Sequence, residues 1–284
     1  MNFLLIIGTF ESLFLILLLL GKKNKALSDF FLGFIFFLLA LSIIITYIEV
    51  YNYQNNYPYP HITNISWLIL FLQGPALWLY IKSLSTPSFR FRAVYLLHFL
   101  PFVFFASYQY FSFYHLPVQE KIHIVSTNRF KDFIFYKISV IAIAISAIVY
   151  NLWALQLLKK HRNRLKQALS KIEDIDLNWL RTLIMASLVC YGVNVTLFNL
   201  DLIFHFGSYQ ILMLIAYSFA AVFVLLLGYF GLRQRNVFIN YSEPKAVSQP
   251  TNPHSKSLPD KKPDSHKIFA ERLLTYKKEQ KPYV

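Results

Sequence analysis

Seven long apolar stretches occupy most of the first 232 positions, at approximately Asn2–Leu20, Phe30–Val50, Ile65–Leu84, Ala93–Ser112, Phe133–Leu158, Leu180–Ile203 and Tyr209–Leu232. Each is close to the roughly 20 residues a helix needs to cross the hydrocarbon core of a bilayer. The pattern therefore predicts an all-α, seven-helix transmembrane bundle.

The loops set a direction. Lys22, Lys23 and Lys25 follow the first stretch; Lys82, Arg90 and Arg92 flank the third loop; Lys159, Lys160, Arg162, Arg164, Lys166 and Lys171 crowd the fifth. The loop from Tyr51 to Asn64 and the turn from Phe204 to Ser208 carry no Lys or Arg, and the stretch from Phe113 to Asp132 mixes both signs. Basic loops stay cytoplasmic, so the N-terminus is expected outside and the C-terminus inside. The first stretch lacks a basic segment before it, and its positive charges follow it, so it is expected to be a retained helix rather than a signal peptide.

Composition agrees. Hydrophobic residues make up 56% and charged residues 15% of the chain, against roughly 25% charge in soluble domains. A soluble protein is excluded on this reading. The net charge of +14 follows from the positive-inside bias of the loops and tail without a nucleic-acid surface. Cys190, the one cysteine, rules out a disulfide framework and a cysteine-based metal site.

Past the last stretch the composition changes. Residues 236–266 form an expected disordered linker rich in Pro, Ser and Lys, with Pro244, Pro250, Pro253, Pro259 and Pro263; its coiled part would span about 30 Å. In residues 267–284, Phe269, Leu273 and Tyr276 fall on one face of a short amphipathic helix ended by Pro282. In the fifth loop Leu165, Ala168, Leu169 and Ile172 keep helical spacing, which suggests an extension of the fifth span lying against anionic headgroups, or a lever from the spans to the tail. Asp176 is a candidate cap for the sixth span.

Polar residues inside the spans are the candidate site. Glu11 lies mid-span, where an ionised carboxylate costs roughly 2.5 kcal/mol or more. Gln73, Asn194, Tyr217 and Ser218 lie at similar depth, so the five are expected either to share a ligand or signal pocket or to make packing hydrogen bonds only, worth about 0.6–2 kcal/mol. Glu49 and Lys137, near span ends, are expected to snorkel to water. Asp201 and His205, at i and i+4, with His61, His115 and His123 on the same side, have metal-ligand potential, but the eight histidines divide evenly between the two sides and no metal or other cofactor is expected. Pro75 and Pro101 are expected to kink their helices. No catalytic or phosphate-binding motif is present, so an enzyme is not expected; an odd span count without repeats also speaks against a transporter.

Five segments together resemble a bacterial family of membrane-bound regulators in which a multi-span sensor is fused to an AraC-type helix-turn-helix DNA-binding domain. They are GPALWLYIKSL, LLHFLPF, IDLNWLRTLI, GYFGLRQ and the final helix with its KPY. The resemblance covers nearly the whole chain. It implies that residues 1–235 are a membrane-embedded sensor in the bacterial inner membrane, responding to a small ligand or a membrane stimulus, and that 267–284 lead into an output domain. It also implies pairing into a homodimer, though no GxxxG motif is evident in the spans. The roughly 100 residues of such an output domain do not follow here, so the chain is expected to be truncated before it, and DNA binding is assigned to none of its residues. A receptor coupled to a histidine kinase or a separate output protein, and a small transporter, remain alternatives.

Overall fold

A computed structural model describes residues 2–86, 89–168, 178–204 and 208–233. The chain divides into two units at Asn240, and every described residue belongs to the first. The linker 236–266, the terminal helix 267–284, Asp176, His205, and Leu169 and Ile172 of the amphipathic stripe lie outside the described residues.

Among the described residues there are eight α-helices and no strand: α1 Asn2–Leu20, α2 Leu27–Gln54, α3 Ser66–Ser85, α4 Leu100–Gln109, α5 Val118–Ser126, α6 Ile134–Ala168, α7 Asn178–Phe204 and α8 Tyr209–Arg233. Six segments are long and apolar enough to cross a membrane, namely Leu27–Gln54, Pro60–Ser85, Ala93–Tyr114, Ile134–Arg164, Trp179–Phe204 and Ile211–Tyr229. The first expected span is a shorter apolar helix, Leu5–Leu20. Large apolar side chains such as Phe3, Phe10, Phe111 and Ile203 are exposed, which lipid tolerates and water does not. The chain has the build of a helical membrane protein.

Six helices form a ring in the order α1, α2, α3, α6, α7, α8, with α8 closing on both α1 and α2. The inward stripe of α1 is Leu5, Gly8, Ser12 and Leu15, all buried, at the spacing that puts residues on one helix face. Small residues bring α1 and α8 close together: a Cβ on Gly8 would sit 2.7 Å from Ala221 Cβ, and one on Gly228 would sit 2.8 Å from Glu11 Oε1. Close approach of this kind substitutes for the hydrophobic drive that lipid removes.

The segment Ala93–Tyr114 stands outside the ring, against α3. It begins as a 3-10 helix, Ala93–Phe99, becomes α4, and ends in a π turn, Tyr110–Tyr114. Pro101 therefore does not kink a helix interior as expected. It occupies the first turn of α4, where its missing N–H is one of the orphan donors anyway. Aromatic contacts attach this segment to the ring: the His98 ring lies 4.7 Å from Trp78 and 5.7 Å from Trp153, and Lys82 Nζ sits 4.3 Å from the centroids of both Trp78 and Tyr95. By contrast, α3 runs on through Pro75, where the Phe71 carbonyl loses its usual helical donor.

α6 is 35 residues long, about 52 Å at 1.5 Å per residue against a hydrocarbon core of about 30 Å. The expected continuation of this span into the basic stretch is thus one unbroken helix as far as Ala168. His161 Nδ1, on that continuation, is 3.1 Å from the Ser85 carbonyl at the end of α3.

The end of the bundle that carries the α2–α3 loop holds several buried ionisable groups, among them Glu49, Lys131 and Asp201. Glu49 does not snorkel to water: it is 1% exposed and accepts hydrogen bonds from Ile65 N–H (2.8 Å), Ser66 N–H (3.1 Å) and Ser66 Oγ (2.6 Å). Its carboxyl covers the orphan donors at the start of α3, so the helix that follows supplies what water would have supplied. Lys131 Nζ reaches Asp201 Oδ2 at 2.6 Å, with both side chains buried. The helix α5 lies in the charge-mixed stretch to which the apolar pattern assigned no element.

Candidate polar cavity

Five helices of the ring leave a cavity of about 110 Å³ between them, α2 contributing Leu39. From α7 it is lined by Ser187, Cys190, Tyr191, Asn194, Val195 and Phe198. Their spacing, i, i+3, i+4, i+7, i+8 and i+11, is a single helix face carried over three turns. From α8 come Met213, Ala216, Tyr217, Ala220 and Phe223, again one face. α3 adds Ser66, Trp67, Leu70 and Gln73, and α6 adds Tyr136, Val140 and Ile143. Among the described residues, no charged side chain lines it.

A relay of side chains crosses the cavity wall. Ser42 Oγ donates to the Leu38 carbonyl at 2.7 Å and accepts from Gln73 Nε2 at 3.0 Å; Gln73 Oε1 accepts from Tyr191 Oη at 2.5 Å. Helices α2, α3 and α7 are thereby joined through one buried amide. Such a link in an apolar interior is worth about 0.6–2 kcal/mol and fixes the Gln73 rotamer.

Two polar atoms on the cavity wall are left over. Asn194 donates through Nδ2 to the Cys190 carbonyl at 2.8 Å, while its Oδ1 makes no hydrogen bond. Ser187 Oγ makes none either, although a serine in a helix ordinarily bonds the carbonyl four residues back. Tyr217 Oη, by contrast, has the hydroxyls of Ser66 and Thr46 beside it as hydrogen-bond partners. A buried polar atom left unpaired costs about 1–3 kcal/mol, and two such atoms on one face of α7 leave room for partners from outside the protein.

Of the five residues expected to share a pocket, Gln73, Asn194 and Tyr217 line this cavity. Glu11 lies elsewhere, between α1 and α8, with its carboxyl against Gly228. Ser218, next in sequence to Tyr217, turns away and bonds its own helix at the Leu214 carbonyl, 2.7 Å distant. Tyr191 and Ser187 were missed. Their signal was present in the sequence, since both fall on the α7 face that carries Asn194. Asp201 is paired with Lys131, and among the described residues no group of three His, Cys, Asp or Glu side chains could hold a metal ion.

The sequence matches no protein-family model, and no curated protein and no solved structure matches it.

Proposed function

We propose that this chain is the membrane-embedded signal-sensing module of an AraC-like transcriptional regulator of the bacterial inner membrane, threaded with its N-terminus outside and its C-terminus in the cytoplasm. The observation that carries the sensing role is the cavity between α2, α3, α6, α7 and α8, with Asn194 Oδ1 and Ser187 Oγ unpaired on its wall. A signal shifts a helix bundle only by binding one arrangement better than another, and unpaired polar atoms are where such a difference arises. The regulatory role is supported by the five sequence segments and by the basic loops, which would hold the C-terminal segment on the side where DNA is.

The mechanism follows from which helices meet at the site. α6 and α7 flank the basic connection, and α8 leads into the segment that would carry the output. A ligand bonded to Asn194 of α7 and packed on the Ala216 and Ala220 face of α8 would change how α7 and α8 pack, and a helix-turn-helix output coupled to residues 267–284 would feel the change through pairing or geometry.

The test joins a reading frame to a reporter. The proposal expects helix-turn-helix coding sequence after the Val284 codon, and a promoter response to that regulator that a cavity-filling Ala220→Leu abolishes with membrane insertion intact. A kinase or an unrelated frame at that place overturns it, and so does a promoter response indifferent to Ala220→Leu.

A further inference from the structure

We propose that the cavity binds an uncharged, single-chain amphiphile, a medium-chain alcohol in chemical class, aligned with the helix axes. The inference rests on the sensing role only for its consequence, since the binding itself follows from the shape and chemistry of the site.

The shape is that of a slot. Along α7 its lining runs from Ser187 to Phe198, and along α8 from Met213 to Phe223, so at 1.5 Å per residue it extends about 15 Å along the bundle. About 110 Å³ distributed over that length leaves a width suited to one alkyl chain rather than to a ring system. The lining is aliphatic and aromatic along its length.

The chemistry selects the head group. Among the described residues no Lys, Arg, Asp, Glu or His lines the slot, so a carboxylate or an ammonium would be desolvated without a counter-charge, at heavy cost. A hydroxyl fits instead. It can donate to Asn194 Oδ1, which lacks a donor; Ser187 Oγ, two helical turns away, is beyond the reach of the same hydroxyl. A plain alkane would fill the slot but leave Asn194 Oδ1 unpaired.

The experiment is photolabelling of the full chain in phosphatidylcholine nanodiscs with a decanol that carries a mid-chain diazirine, mapped by peptide mass spectrometry. The expected result is label on Trp67, Leu70, Val195 and Phe198 that excess decanol displaces. Decane and decanoate should compete roughly tenfold less well, the equivalent of about one neutral hydrogen bond, and Asn194→Leu should erase the advantage of decanol over decane. The nanodisc supplies lipid acyl chains throughout, so displacement above that background separates a free amphiphile from a lipid tail.

Equal competition by decane, stronger competition by decanoate, or label confined to the exposed face of α4 would overturn the proposal. Failure of the two ideas is distinguishable. Decanol labelling of the slot with a promoter indifferent to cavity variants would sink the sensing role alone; a promoter response abolished by Ala220→Leu, without decanol labelling, would sink the ligand class alone.

Discussion

Glu49 is held to Ser66 at two points, accepting from its backbone N–H at 3.1 Å and from its hydroxyl at 2.6 Å. A carboxyl at the C-terminal end of α2 thereby serves as the cap of α3, sixteen residues on. Removing it strands donors that have no water to turn to. Glu49→Leu should therefore destabilise the bundle by about 2–4 kcal/mol, the summed cost of a lost cap and an unpaired buried donor. Glu49→Gln should cost less than half of that, because the amide oxygen still accepts from the two N–H groups and its NH₂ can donate to Ser66 Oγ. Thermal unfolding in detergent gives the order, and equal losses for the two variants would contradict this role for Glu49.

The crossing of α1 and α8 depends on Gly8. A methyl there meets both the Cβ (2.7 Å) and the Cα (3.0 Å) of Ala221, so the neighbour cannot yield by rotating a side chain. Gly8→Ala should cost about 1–3 kcal/mol as an overpacking change. Ala221→Gly added to it should restore part of that, since it removes one of the two clashing atoms. A double variant no more stable than Gly8→Ala would show that the helices part there for another reason.

Lys131 and Asp201 form a buried ion pair. Lys131→Met or Asp201→Leu alone should cost about 3–5 kcal/mol, because each leaves a buried charge uncompensated, whereas the double substitution should return most of the loss. Chemical denaturation of the two single variants and the double variant measures the coupling, and additive losses would argue against a paired role.

Asn194→Leu should behave differently from these. It removes an acceptor that has no donor, so stability should stay within about 1 kcal/mol of the parent or rise, while any response that depends on the cavity is lost. A large drop in melting temperature would mean that Asn194 serves packing rather than binding.

The all-helical build and six membrane-length apolar helices were legible because hydropathy over some twenty residues records where backbone must satisfy itself in lipid. What stayed hidden depended on partners. Glu49 looks like a snorkelling residue until α3 is seen to begin above it, and nothing in the local sequence says which helix end a carboxyl will meet. Pro101 looks like a kink because hydropathy cannot tell the interior of a helix from the first turn of a new one. The cavity was half legible: the α7 face repeats polar side chains at helical spacing, but Glu11 and Ser218 share the depth of Gln73 without sharing its side of the bundle, and depth is all that a span supplies. The charge pattern of α5, by contrast, gives no apolar run long enough to mark it.

If the cavity serves sensing, its state is transmitted to the end of the bundle from which the C-terminal segment departs. The direct measurement is electron–electron resonance distance spectroscopy between spin labels at positions 164, on the α6 extension, and 233, at the end of α8, in a Cys190→Ser background. Ala220→Leu, which fills the cavity between these helices, should shift the distance distribution relative to the parent. Distributions that superimpose, with the variant fully folded, would contradict it.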